Sequence, residues 1–265
     1  MNLEGPLVGN VVRAASLQGL SPRLVHGFST ALPKSAQQPF AQAAGACLSK
    51  ALKGIPGHPQ GLEHLHLMVL EQIHSARVLP WNGEAPPLVP PQGDGILATH
   101  GFGGFIAIRT ADCVPVLAVN TKNHTFAALH AGWRGTSALI LPHFLALWQS
   151  QGADLQHVRL VFGPSIKACC FEVKQDCLQN FSPEVARRFA TPWGNAWKLD
   201  LDGVLQEQAC QAGVPQANIE TLKLCTCCWG RETGAPPFAS YRRSTQAGVA
   251  LSAYNASFIG LLPLP

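Results

Sequence analysis

The sequence predicts an α+β fold built from packed layers. Segments with strand character and segments with helical spacing are mixed without strict alternation, which disfavours a doubly wound parallel sheet. Two apolar runs, 106–120 and 125–135, flank a short polar break at Thr121 to His124, which is a hairpin signal. Nearly half of the 265 residues are hydrophobic and 13% are charged, which suits a sizeable core and argues against disorder. No internal repeat is visible. One domain over 1–265 is expected.

Taken in order, 11–30 reads as an opening strand region ending at His26-Gly-Phe-Ser-Thr30. Small and apolar residues over 40–53 favour a helix, and the Gly/Pro-rich stretch 55–63 a loop. In 65–78 the first half is strand-like. Gln72 and His74 fall two apart, hence on one face if extended. Five prolines between Pro80 and Gln92 mark a surface excursion. Gly93-Asp94-Gly95 turns into a short strand at 96–99. Beyond the hairpin, 137–149 has helical spacing, with Pro142 near its start and Thr136 as a candidate N-cap. The helix start beside Arg134 reads as an anion site. Strands are expected at 158–162 and 219–226. Helices are expected at 182–190, with Pro183 at the first position, and at 199–212. An extended piece is expected at 236–243, and 251–262 closes the chain.

The net charge of +4 is modest and no long basic run occurs, so nucleic acid is not indicated. No apolar stretch reaches the roughly 20 residues needed to span a bilayer, and the first residues lack a secretory pattern. A cytoplasmic protein is expected. Nine cysteines, an odd count, make a poor disulfide framework. Cys47, Cys177 and Cys210 read as ordinary buried or adventitious thiols. The Cys225-Thr-Cys-Cys228 cluster has the look of a metal knuckle but lacks a second pair at zinc-ribbon spacing. Adjacent Cys169 and Cys170 look wrong for a structural zinc.

The chemistry lies inside the apolar runs. Cys113 interrupts the first and His130 the second. Folding the hairpin about its turn gives paired numbers that sum to about 243–245, and 113 plus 130 makes 243. The two side chains then lie nearly opposite, about 5 Å apart at Cβ. His74 is the third candidate. Each has polar company: Gln72 beside His74, Asp112 beside Cys113, Arg134 beside His130. A His₂Cys set leaves one coordination position open, the pattern of a catalytic zinc. A single copper is a chemical alternative.

Several motifs carry a resemblance: Gln72-Ile-His74, Gly93-Asp-Gly-Ile-Leu-Ala-Thr99, Thr110-Ala-Asp-Cys-Val-Pro115, His130-Ala-Gly-Trp-Arg-Gly-Thr136, Gly163-Pro-Ser-Ile-Lys-Ala-Cys-Cys-Phe-Glu-Val173, Cys225-Thr226 and Ser240-Tyr-Arg-Arg243. Together they resemble the YfiH family, long labelled a laccase-like polyphenol oxidase and now described as purine nucleoside phosphorylases that also deaminate adenosine. The resemblance implies a four-layer α/β/β/α sandwich, like the catalytic domain of the cytotoxic necrotising factors. It also implies zinc on His74, Cys113 and His130. The chain departs from the family in two places. Ala31-Leu32-Pro33 follows Ser29-Thr30 where members carry an Arg and a Gly pair, and Ala247-Gly248-Val249 stands in place of Thr-Gly-Arg. Each departure removes a cation that faces an anionic substrate.

The resulting expectation is a zinc-dependent phosphorylase of adenosine, inosine, guanosine and methylthioadenosine, with adenosine deaminase activity. Its partners are purine nucleosides and phosphate, and its state is a monomer or homodimer. Catalytic candidates are His74, Cys113, His130 and Asp112, the last being equally a strand-end hydrogen-bonding group. Gln72, Arg134, Arg242 and Arg243 are substrate-binding candidates. Copper-dependent polyphenol oxidation is one alternative, although ten histidines with a single His-x-His pair fall short of a multicopper cluster. A Cys113/His130 hydrolase acting on a cell-wall precursor is another.

Overall fold

The central hairpin forms the middle of a six-stranded sheet. The computed structural model describes residues 11–34, 40–52, 66–234 and 236–263. Strands Val114–Asn120 and Phe126–Ala131 pair antiparallel and are buried along their whole length. Val158–Phe162 runs antiparallel to the first of them, and Ile219–Thr221 lies parallel beyond it. On the other side Gly95–Ala98 is antiparallel to Phe126–Ala131, and Val78–Trp81 is parallel to Gly95–Ala98. Mixed direction and burial of both faces explain why these runs read as continuously apolar rather than alternating.

A second sheet has the order Val11–Val12, Leu24–Pro33, Ala253–Leu261, Gly104–Thr110, Leu67–Met68. Three small strands, Glu172–Val173, Ala196–Leu199 and Ala190–Trp193, form a third. Side-chain alternation divides the core. Leu117, Val119, Phe126 and Val161 pack with Phe28, Ile106, Ile108 and Ile259 of the second sheet. Val116, Ala118, Leu129 and Phe162 face helices Ile140–Ser150 and Leu201–Gln211. The opposite face of the second sheet, through Val25, Phe105 and Phe258, packs with Phe40, Ala44 and Leu48 of helix Phe40–Leu52. The mixed α+β class is therefore as expected.

Local chemistry accounts for the elements. Helix Pro183–Phe189 starts on Ser182, whose Oγ accepts the Val185 N–H at 3.2 Å, and helix Leu201–Gln211 starts on Asp200, which accepts from Gly203 at 3.1 Å. The hairpin turn is tied down from inside. Trp148 Nε1 donates to Thr125 Oγ1 at 3.0 Å, and Asn123 Oδ1 accepts the Thr125 N–H at 3.1 Å.

Four local expectations are corrected. The hairpin register sums to 245, inside the expected range, but Cys113 is not opposite His130: Val114 faces Ala131 and Pro115 faces His130. Continuing it places Cys113 opposite Gly132, two residues from the expected partner, and a two-residue shift preserves the face. The helix foreseen from Ser137 is broken. A single turn, Trp133–Ser137, precedes Ile140–Ser150, and between them Leu139 takes a left-handed φ of 62°. Thr136 is thus inside the first turn and caps nothing. Residues 241–246 are a helix rather than extended chain, because Ser240 Oγ accepts the Arg243 N–H at 3.1 Å. His74 has φ 60°, so the Gln72–His74 segment does not run on as a strand. The loop expected at 55–63 lies outside the described residues. No helix among the described residues is long and apolar enough to cross a membrane.

His26 gives this fold an acid-sensitive point. It is 2% exposed in strand Leu24–Pro33, and its Nε2 accepts the Ala14 N–H at 3.0 Å. Burial first, then the charge of Arg13, hold its pKa down to about 4. The ring is neutral when folded and protonates more readily when unfolded. Its stabilising contribution is complete above pH 6.5 and is lost as pH falls towards 4, on the order of 3 kcal/mol. Urea unfolding at pH 7 and pH 4.5 should show this loss, and His26→Gln should remove most of the difference.

Candidate metal centre and cavity

The organising group is Asp94, which is fully buried between two glycines at the start of strand Gly95–Ala98. A buried carboxylate needs donors on every lone pair. Oδ1 accepts the His74 N–H at 3.0 Å and faces His130 Nδ1 at 2.8 Å. Oδ2 accepts the Ser75 N–H at 2.6 Å and the Ser75 hydroxyl at 2.7 Å. Burial alone raises its pKa. The hydrogen bonds from His130 and Ser75 outweigh burial and lower it to about 2. An ionised carboxylate is acceptor-only, so the proton of this bond sits on His130 Nδ1. The lone pair of the neutral ring is then on Nε2, directed away from Asp94.

His74, Cys113 and His130 converge. One ligand atom from each lies within 4.8 Å of the others, and the two imidazoles meet edge-to-face with centroids 4.8 Å apart. Burial would push the Cys113 thiol up. The charge of His130 and hydrogen bonds from His130 and His74 overcome that and bring it down to about 6. Burial likewise depresses His130, while the Cys113 charge and Asp94 raise it to about 9. A thiolate and two imidazoles, one of them oriented by a buried carboxylate, are a donor set suited to zinc. Gly132 makes room for it. A Cβ there would stand 2.8 Å from Cys113 Sγ and 3.4 Å from the His74 ring.

These residues border a cavity of about 950 Å³. Trp133, Phe171, Tyr241 and Tyr254 give it aromatic walls, and Lys34, Arg109, Arg134 and Arg242 place cations around it. The Arg134 guanidinium stacks 4.4 Å over the Trp133 ring. Arg242 donates to the Cys170 carbonyl at 3.1 Å and the Glu172 carbonyl at 2.8 Å, which fix its head without neutralising it. Arg134 and Arg242 also border a neighbouring hollow of 520 Å³. Lys34 lies just beyond the departed Ser29–Pro33 motif and supplies a cation on that side.

Other candidates have different geometry. Gln72 lines the cavity, but its amide is committed to the backbone of Arg109, donating to the carbonyl and accepting the N–H, both at 2.8 Å. Arg243 is not among the lining residues. It donates to the carbonyls of Thr226 at 2.6 Å and of Phe238, so it clamps loops rather than facing an anion. Asp112 accepts from Thr226 Oγ1 at 2.7 Å and from the Arg242 N–H at 2.6 Å, which is the strand-end hydrogen-bonding reading. The anion site expected at a helix start reduces to Arg134, because the helix there is five residues long. The role of Asp94 was missed in the sequence. Its only local signal is an acidic residue between two glycines before a buried strand.

Comparison with known proteins places the chain in a family. A family model described as multi-copper polyphenol oxidoreductase laccase matches residues 58–256. A protein of Shigella flexneri named purine nucleoside phosphorylase YfiH is 30% identical over 195 residues, 73% of each chain. The chain belongs to the YfiH family. A purine nucleoside phosphorylase of Clostridium acetobutylicum is 30% identical over 160 residues, 60% of this chain and 65% of that protein. A protein from an unknown prokaryote named adenosine deaminase RL5 is 35% identical over 144 residues, 52% of this chain and 54% of that one. The chain thus spans between half and two thirds of the length of these last two relatives. The crystal structure of a YfiH protein of Bacillus licheniformis superposes with a TM-score of 0.78 at 22% identity, covering 98% of this chain and all of that one, which shows a shared YfiH fold.

Two substitutions probe the centre. Asp94→Asn should weaken zinc affinity about 10–100-fold by releasing the His130 ring. Gly132→Ala should weaken it too by displacing Cys113. Competition with a chromogenic chelator measures both, and unchanged affinity in Asp94→Asn would mean that the carboxylate does not orient the ligand.

Proposed function

We propose that this YfiH-family chain is a zinc-dependent purine nucleoside phosphorylase that also deaminates adenosine. The observation that carries the reading is one cavity combining three converging metal donors, aromatic walls and two fixed guanidinium groups. The names of its relatives support it.

A purine base is flat and apolar on its faces, and Trp133, Phe171 and Tyr241 offer matching aromatic surface. In phosphorolysis a phosphate oxygen bonds to the anomeric carbon while the bond to the base nitrogen breaks, and the base leaves with a proton. Arg134 and Arg242 hold the phosphate by charge-assisted hydrogen bonds. Both heads are pre-positioned, one by stacking and one by two carbonyls, so little side-chain entropy is lost on binding. In deamination water replaces the exocyclic amine, which leaves as ammonia. His74, Cys113 and His130 would hold zinc, which when bound supplies Lewis acidity at the cavity wall. Asp94 keeps the His130 proton on Nδ1 and so keeps Nε2 available.

One observation favours a second reading. Asp94, His130 and the low-pKa Cys113 line up as a Cys–His–Asp set for hydrolysis. The second imidazole counts against it. A nucleophile–base pair has no use for His74 beside the thiol, whereas a metal centre needs three donors. The laccase description fits the donors less well, since a multicopper oxidase needs many more histidines than the two that join Cys113 here.

Turnover of adenosine with and without phosphate, followed by chromatography, tests the reading. Zinc-loaded protein should give adenine and ribose 1-phosphate with phosphate present, and inosine in both conditions. Cys113→Ala should lose both activities. Arg134→Ala should raise the phosphate KM about tenfold or more, the worth of one charged hydrogen bond, with deamination changed little. No turnover by zinc-replete protein, with Cys113 labelled readily by iodoacetamide, would favour the hydrolase reading.

A further inference from the structure

A second sulfur-rich cluster lies apart from the three donors. Cys169 and Cys170 sit in the turn after Lys167, and Cys225 and Cys228 in the turn that follows strand Ile219–Thr221. The two turns are laced together by a bridge between Ser165 and Cys225, with the Thr226 N–H donating to the Ser165 carbonyl at 3.0 Å and the Ser165 N–H to the Leu224 carbonyl at 3.2 Å. The sequence reading set Cys169 and Cys170 aside as an adjacent pair, and the fold brings them beside Cys225 and Cys228. All four sulfurs lie within 4.8 Å of one another.

We propose that Cys169, Cys170, Cys225 and Cys228 form a structural site for one tetrahedrally bound zinc ion. Zinc–sulfur bonds of about 2.3 Å imply sulfur–sulfur edges of about 3.8 Å in a tetrahedron. The Cys169–Cys228 separation is 3.7 Å. Cys225 and Cys228 form a Cys-x-x-Cys turn, and the Lys167 N–H points at Cys225 Sγ at 3.5 Å. The backbone N–H groups of Cys227 and Cys228 also aim at that sulfur. Amides directed at sulfur stabilise thiolate charge, as a metal knuckle requires. Without a cation the thiols oppose one another's ionisation. A divalent ion removes that conflict by binding all four as thiolates. Four sulfur ligands close the coordination shell, so the role is structural rather than catalytic. Cys169 is exposed, which gives the ion a route in.

The ion would fasten the two turns that frame the cavity. Cys170 offers its carbonyl to Arg242, and Thr226, between the metal-binding cysteines, donates to Asp112. Zinc at the four cysteines therefore helps fix the Arg242 head and the loop that carries Cys113.

Zinc per chain, measured by inductively coupled plasma mass spectrometry, tests this in the wild type, Cys169→Ser/Cys228→Ser and Cys113→Ala. The proposal expects the Cys169/Cys228 variant to hold one equivalent less than the wild type. It expects Cys113→Ala to keep one equivalent, whether or not the first centre holds zinc. Cobalt-loaded Cys113→Ala should show intense thiolate-to-cobalt absorption, which keeps the test open if the double variant folds poorly. Chelation of Cys113→Ala should lower its melting temperature. Equal zinc in the wild type and the folded Cys169/Cys228 variant would overturn the proposal. So would iron in place of zinc, or a mass lower by disulfide formation with these thiols resistant to alkylation.

Discussion

A single buried carboxylate sets the geometry of the candidate metal centre. Asp94 is an ionised group without solvent, and it is tolerated because backbone amides, a hydroxyl and an imidazole converge on it. Meeting that demand bends the chain at His74–Ser75 and draws it against the His130 strand. The same carboxylate thus brings two candidate ligands from segments more than fifty residues apart to one point. The His130 N–H also donates to the Asp94 carbonyl at 2.7 Å, so the backbone ladder and the side-chain bond act in one direction.

Backbone strain clusters at the same place. His74 and Asp112 have φ of 60° and 94°, conformations that cost about 1–3 kcal/mol each in non-glycine residues. A carboxylate holds each of them. Asp94 takes the N–H of His74, and Asp112 uses its own side chain to bridge Thr226 and Arg242. Asp112 is therefore a positioning residue: it aims the next residue, Cys113, and ties the helix Tyr241–Gln246 to the cavity wall. Glycine at 132 and 135 completes the close approach, since a Cβ at Gly135 would stand 2.9 Å from the Ser75 carbonyl.

Much of this was legible where the determinants are local. The hairpin, the helices capped by Ser182 and Asp200, and the three donors could be read from spacing and residue type. The pairing of Cys113 with His130 missed by two residues because turn type was open, yet the shared face survived since parity did. Leu139 was misread as part of a continuous helix because its apolar character fits the period, although it is left-handed and 46% exposed. Gln72 and Arg243 were expected at the substrate because polar residues near a motif invite that reading. Their partners are backbone groups brought close only by tertiary structure. The role of Asp94 and the joining of the two cysteine pairs were illegible for the same reason, since the pairs stand 55 residues apart and meet only in the folded chain, beside the Ser165–Cys225 bridge.

The most direct test of this account is an anomalous difference map from crystals of the zinc-loaded protein, recorded above and below the zinc absorption edge. The account predicts an edge-dependent peak bonded to His74, to Cys113 Sγ and to Nε2 of His130, with Nδ1 of His130 still on Asp94. A map without density there, or with the His130 ring turned to bind through Nδ1, would contradict it.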